Sequence, residues 1–163
     1  MNEPRIINRI PSVEEYHFFR EHVGWGSPDP EASAISLSNA LFTVCLEKEG
    51  KLIGIGRIVG DGGLFFYIQD LIVLNDHRKN GCGDLIMRAL LEYLNQTVKK
   101  GAFVGLFSAK NVEGLYEKYG FIERPTDRFG AGMFIPIEKL NQQIGIGLPI
   151  AEEPSHTTTH TDP

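Results

Sequence analysis

Along the first forty residues, apolar positions recur at helical spacing twice, and each recurrence opens on an N-terminal signal. Ser12 followed by Glu15 is a capping-box pattern, which predicts a helix over about residues 12–22. Asp29-Pro30 sets an N-cap acceptor before a proline in the first helical position, and predicts a second helix to about residue 39. The intervening HVGWGSPDP reads as a loop carrying the single tryptophan, Trp25.

The period then changes. LFTVCLEK and KLIGIGRIV flank Glu49-Gly50, and Asp61-Gly62-Gly63 separates the second from LFFYIQDLIVL. Such runs joined by short glycine-bearing turns predict an antiparallel meander of three strands. The third run is apolar on both faces, as in a central, doubly buried strand. Helical spacing returns with Leu85, Ile86, Ala89, Leu90, Tyr93, Leu94 and Val98, predicting a helix from Asn80 to about Lys100 that Gly101 ends. AFVGLFS reads as another buried strand. Asn111 is then expected to cap a short helix through Tyr119, closed by Gly120. Phe121 onward, with Gly132 to Ile137, would supply a final hairpin. The predicted order is α-α-β-β-β-α-β-α-β-β, with residues 5–10 as a further strand candidate. This is a mixed α+β class with helices on the faces of one sheet, a single domain over residues 1–144. From Gly145 the chain is rich in Gly, Pro, Thr, His and acidic residues, and residues 145–163 are not expected to pack.

Composition narrows the function. A chain of 163 residues, 42% hydrophobic and 23% charged, suits one soluble domain with one sizeable core. No apolar run approaches the ~20 residues that cross a bilayer, and the N-terminus lacks the apolar core of a signal peptide, so a cytoplasmic protein without a membrane partner is expected. Cys45 and Cys82 make no disulfide framework and have no metal-ligand spacing, and His156 and His160 lie in a Thr-rich tail ill suited to a cage, so no metal is expected. The net charge of −5 gives no overall basic balance with which to meet phosphates, so nucleic acid is not an expected partner.

The chemistry concentrates in DLIVLNDHRKNGCGDLIMRALLEYL. Arg78-Lys79-Asn80-Gly81-Cys82-Gly83 joins the central strand to the long helix. Amides of such a loop and of the first helical turn lack internal partners and, with the positive end of the helix dipole, make an anion site. Gly81 and Gly83 let phosphate oxygens approach the backbone, and Arg78 and Lys79 add charge at the rim. The loop is neither a Walker loop nor a dinucleotide fingerprint.

RKNGCG matches the Arg/Gln-x-x-Gly-x-Gly/Ala signature of the Gcn5-related N-acetyltransferase (GNAT) superfamily, after the fourth strand. Tyr116-Glu117-Lys118-Tyr119-Gly120-Phe121 is similar to that family's Tyr-x-x-x-Gly-Phe segment after the fifth strand. With the meander upstream, the chain resembles this family over roughly residues 4–137. One departure stands out: Ala109 occupies a position where many relatives carry a cofactor-holding asparagine.

The resemblance implies a mostly antiparallel twisted sheet splayed between strands four and five, with the pantetheine arm of acetyl-CoA between them. It places the arm's amides against Leu71, Ile72 and Val73 and the pyrophosphate on Arg78, Lys79, Asn80, Gly81, Cys82, Gly83 and Asp84. An amine would attack the thioester directly in a ternary complex, and Tyr116 would contact the cofactor and protonate the departing thiolate. Asp70 is the best-placed carboxylate for a general base, with an ion pair or strand-to-strand hydrogen bond as its alternative, and Gln69 is able to order a water in its place. Trp25 and Arg57 are candidates to line the acceptor pocket. The expected acceptor is a small-molecule primary amine, and a homodimer is a candidate assembly, dimers being common among relatives. Two alternatives stay open: a non-catalytic acyl-CoA-binding module, and an acetyltransferase of proteins or peptides.

Overall fold

In a computed structural model, described at residues 3–136 and 139, the chain forms two compact units, Met1–Ile122 and Glu123–Pro163. In the first unit the capping box forms as its spacing predicts. The Ser12 hydroxyl accepts from the Glu15 amide at 3.2 Å and the Glu15 carboxylate accepts from the Ser12 amide at 2.8 Å, opening helix α1 over Val13–His22. The Asp29 carboxylate accepts from the Ala32 amide at 2.8 Å and opens α2 over Pro30–Ser38.

Five strands follow one another across a single sheet in chain order: β1 (Arg5–Ile7), β2 (Phe42–Lys48), β3 (Lys51–Gly60), β4 (Phe65–Val73) and β5 (Phe103–Gly105). The first four pair antiparallel and β5 joins β4 in parallel. Helix α3 (Cys82–Thr97) makes the crossover between β4 and β5, and a short α4 (Glu113–Glu117) follows. One face of the sheet lies under α3, where Val44, Leu46, Ile58, Phe66, Ile86 and Leu90 are buried together. The other carries a second core of Tyr16, Phe19, Leu37, Cys45, Ile55 and Ile72, gathered from α1, α2 and the strands.

α3 sits very close to the sheet. A Cβ on Gly56 would fall 2.5 Å from Ile86 Cγ2 and 3.2 Å from Leu90 Cδ1. Both side chains are fully buried, so neither has room to yield.

β4 is not regular. Arg57 pairs with Gln69 but Ile55 pairs with Ile72, so Asp70 and Leu71 together stand opposite Gly56, and Asp70 takes a φ of 53°. This is a β-bulge, which bends the strand and re-aims its side chains. Phe66 and Ile68 before it face α3; after it, Val73 faces α3 and Ile72 turns to the α1 side.

Several boundaries differ from the sequence reading. α3 ends at Thr97, because Val98 turns to extended geometry and packs on the core, its amide still bonded to the Leu94 carbonyl at 2.8 Å. Gly101, with φ 94°, serves the turn into β5 instead. Leu85 is exposed and Met87 fully buried, so the inner stripe is rotated from the expected one. Asn111 does not cap α4; Val112 precedes it and makes no side-chain cap. β5 is three residues long, since it has a partner only where β4 runs beside it.

The second unit holds a tight turn in which the Thr126 amide donates to the Phe129 carbonyl at 2.7 Å and the Phe129 amide to Thr126 Oγ1 at 3.0 Å. The expected final hairpin is absent from residues 121–136, where Pro125 and Pro136 remove ladder donors; Ile137 lies outside the described residues. The expectation for residues 145–163 also falls outside them.

Candidate active site

The site grows from the way β4 meets its neighbours. β4 and β5 pair at Phe65, Phe66 and Tyr67 against Phe103, Val104 and Gly105, and β5 then ends. β4 continues for six residues to Val73 with no β5 partner, so the edge that carries Leu71, Ile72 and Val73 is open on that side. A gap in the pairing therefore starts after Tyr67 and runs to the end of β4.

At the far end of β4 the chain makes a 3-10 turn, Asn75–His77, and enters the loop to α3. The Arg78 side chain folds back, its Nε donating to the Val73 carbonyl at 2.9 Å, which ties the loop to the strand end. Lys79 and Gly81 both take left-handed backbone, at φ 60° and 78°, and glycine adopts this without a Cβ penalty. The helical ladder begins with the Leu85 amide on the Gly81 carbonyl at 3.1 Å. None of the amides from Lys79 to Asp84 makes a well-formed bond to a backbone carbonyl among the described residues. A Cβ on Gly81 or Gly83 would meet nothing within 4 Å. Lys79 and Asn80 are exposed, whereas the Cys82 side chain is buried in the α3-side core, leaving only its backbone to the loop.

Asp84, in the first turn of α3, is already engaged. It accepts from the Tyr119 hydroxyl at 2.6 Å and pairs with Lys118, and these two, Lys118 foremost, hold its carboxyl below the usual range. The start of α3 is thereby tied to the end of α4, the helix carrying Tyr116. Tyr116 is half-buried against the α3-side core with its ring edge-on to Phe121 at 6.2 Å. Burial pushes its phenol up, and its hydroxyl makes no hydrogen bond among the described residues.

On the α1 side of the bulge stands a charged cluster. Asp70 is 3% exposed; Oδ2 accepts from Arg57 Nε at 2.6 Å and the Tyr16 hydroxyl at 3.0 Å, and Oδ1 from Gln69 at 3.3 Å and Arg20 at 3.4 Å. Arg57, 6% exposed, also donates to the Ser36 carbonyl at 2.8 Å and hydroxyl at 2.9 Å. Burial, and then the Asp70 charge, push the Tyr16 phenol up, which keeps it a donor. The Arg20 guanidinium lies 5.6 Å from both the Tyr16 and Trp25 rings, and Trp25 remains 43% exposed at the rim. Asp70, Arg57 and Trp25 thus come together. The sequence reading missed Tyr16, Arg20 and Ser36, although Tyr16 and Arg20 stand one turn apart on the helix predicted there.

It also passed over Tyr67, at the closed end of the gap. Its ring meets Phe107 edge-on at 5.4 Å. Its hydroxyl is the one buried side-chain polar atom without a hydrogen-bond partner among the described residues. Burial pushes its phenol up to about 12; the Phe107 backbone pulls slightly the other way without reaching hydrogen-bond geometry.

Residues 25–139 match the acetyltransferase (GNAT) domain family, most of the chain. The chain belongs to the GNAT family. Solved structures agree with this membership. A probable acetyltransferase of unknown function from methicillin-resistant Staphylococcus aureus is 35% identical, with a TM-score of 0.75 over 82% of this chain and 99% of that one. A GNAT family acetyltransferase from Streptococcus pneumoniae is 25% identical, with a TM-score of 0.67 over 82% and 98%. Glucosamine-6-phosphate N-acetyltransferase from Arabidopsis thaliana, 16% identical with a TM-score of 0.58 over 83% and 100%, shares the fold. No curated protein sequence matches. Among the described residues of this GNAT domain, no group of three His, Cys, Asp or Glu side chains could hold a metal, and no helix is long and apolar enough to cross a membrane.

Proposed function

We propose that this GNAT protein moves the acetyl group of acetyl-CoA to the primary amine of a small molecule, by direct attack in a ternary complex. The observation that carries the reading is the open edge of β4 leading from Tyr67 to the unpaired amides of residues 79–84. The space over Gly81 and Gly83, where a Cβ would meet nothing within 4 Å, would receive the pyrophosphate, and a side chain at either would crowd it. The backbone of Leu71, Ile72 and Val73 would pair with the amides of the arm, and Arg78 would keep the loop docked on the strand. Bound acetyl-CoA supplies the acyl thioester and its thiolate leaving group.

In the reaction the amine nitrogen bonds the acyl carbon, the carbon–sulfur bond breaks, the amine gives up a proton and the thiolate gains one. Tyr116 would deliver that last proton, since its raised phenol stays protonated at neutral pH and its hydroxyl has no competing partner among the described residues. The amine's proton was expected to go to Asp70, but that carboxylate already accepts from four donors. The reading therefore gives Asp70 the work of holding Arg57 and the bulge, and gives proton removal to water ordered beside Gln69.

Calorimetry with CoA and an acetyl-CoA turnover screen against amines, amino acids and peptides test the reading together. Gly83→Val should fold, because its Cβ meets open space, yet bind CoA at least ten-fold more weakly than wild type. Equal affinity in the two proteins would remove the pyrophosphate assignment. Tight CoA binding with no turnover on any amine would make the protein a binding module.

A further inference from the structure

Three properties single out Tyr67, and the first is its place. The strands pair as far as Tyr67 and Gly105, and the anion loop lies past the other end of β4. The six steps from Tyr67 to Val73 span about 20 Å of extended strand. An extended arm anchored on the loop and laid along this edge brings its reactive end toward Tyr67. The second is direction. Tyr67 alternates with Phe66 and Ile68, which are buried beneath α3, so its side chain leaves the sheet on the opposite face. Phe107 belongs to the segment that follows β5, so a Tyr67 ring in contact with it leans across the gap.

The third is its hydroxyl. A buried polar group is ordinarily paired, because an unmade hydrogen bond costs the full desolvation of the group. Among the described residues, every other buried side-chain polar atom has a hydrogen-bond partner and this one does not. With the phenol held near 12 the group is a neutral donor, unfit to act as a base at ordinary pH.

We infer that the Tyr67 hydroxyl donates a hydrogen bond to the acyl carbonyl oxygen of the bound thioester and so positions the acyl group at the closed end of the β4–β5 gap. The inference rests on the acyl-CoA reading above. No bond to Tyr67 forms or breaks; the tyrosine fixes where the carbonyl lies and favours charge gathering on its oxygen.

Tyr67→Phe removes one oxygen and keeps the ring on Phe107. Calorimetry on the full chain with CoA and with acetyl-CoA reads the effect without an acceptor. Wild type should prefer acetyl-CoA, and the variant should lose about three- to ten-fold of that preference, one neutral hydrogen bond's worth, with CoA affinity within two-fold. The thermal midpoint should hold or rise, since a desolvated, unpaired hydroxyl has gone. An unchanged preference in the variant, or no preference in wild type, overturns the inference while CoA binding keeps the broader reading intact. Wild-type protein that binds neither form overturns that reading and the inference with it.

Discussion

Asp70 shows how one side chain can satisfy two sequence expectations on paper and favour one in space. A carboxylate beside an active cleft suggests a base, yet this one is 1% exposed at its side chain and stands 2.6 Å from a guanidinium that is itself 7% exposed. Removing its charge strands a buried cation, the situation in which a broken ion pair is costly. Asp70→Asn should therefore lower stability by about 3–5 kcal/mol, read from the urea midpoint with the slope unchanged. A base role would add a second effect: turnover per folded molecule falling, with its pH profile altered. Turnover and its pH profile in the folded variant thus separate the two roles. Nothing at the level of spacing announces this pair. Arg57 and Asp70 are thirteen positions apart on neighbouring strands, Arg57 pairs with Gln69, and Asp70 reaches the guanidinium from within the bulge.

Among the elements, those with local causes were legible. The Ser12–Glu15 box, the Asp29-Pro30 start and the glycine turns between β2, β3 and β4 act within a few residues, and each forms as read. What escaped depends on neighbours far along the chain. α3 stops where Val98 finds the core, and β5 stops where β4 parts from it. The glycine loop between β4 and α3 was legible because its glycines are a motif; Tyr67 was not, because an unpaired hydroxyl exists only once the fold has satisfied the others. The approach of α3 to the sheet is likewise a tertiary fact hidden in a glycine. Gly56→Ala should cost about 1–3 kcal/mol, because the added methyl would overlap Ile86 and Leu90 in a filled core. Chemical unfolding checks this, and an alanine variant as stable as wild type would mean that α3 rides further from β3 than its side chains indicate.

Across the whole molecule, both layers of the sheet and α4 draw on tyrosines whose phenols are pushed up. Burial is the leading cause for Tyr16, Tyr67, Tyr116 and Tyr119 alike. A raised value in the folded state means that folding favours the protonated phenol. That contribution is complete below the unfolded value of about 10 and is lost as pH rises through the folded ones, Tyr67 last at about 12. Tyrosinate absorbance and far-ultraviolet dichroism, followed together from pH 8 upward, should therefore change in one coupled transition above about pH 10. Ionisation of these tyrosines near 10 with the dichroism intact would contradict it. Strand β4 carries a further consequence for the fold as a whole. Strike Asp70 out of its sequence, and Phe66, Ile68, Leu71 and Val73 fall into unbroken alternation toward α3, with Ile72 still turned to the other side. The hydrophobic code of the strand is complete without that residue. A deletion there would leave the interior's membership list intact while straightening a corner and orphaning Arg57. The sheet's interior therefore does not select Asp70, and its place in the chain is owed to the bend and to the cation it holds.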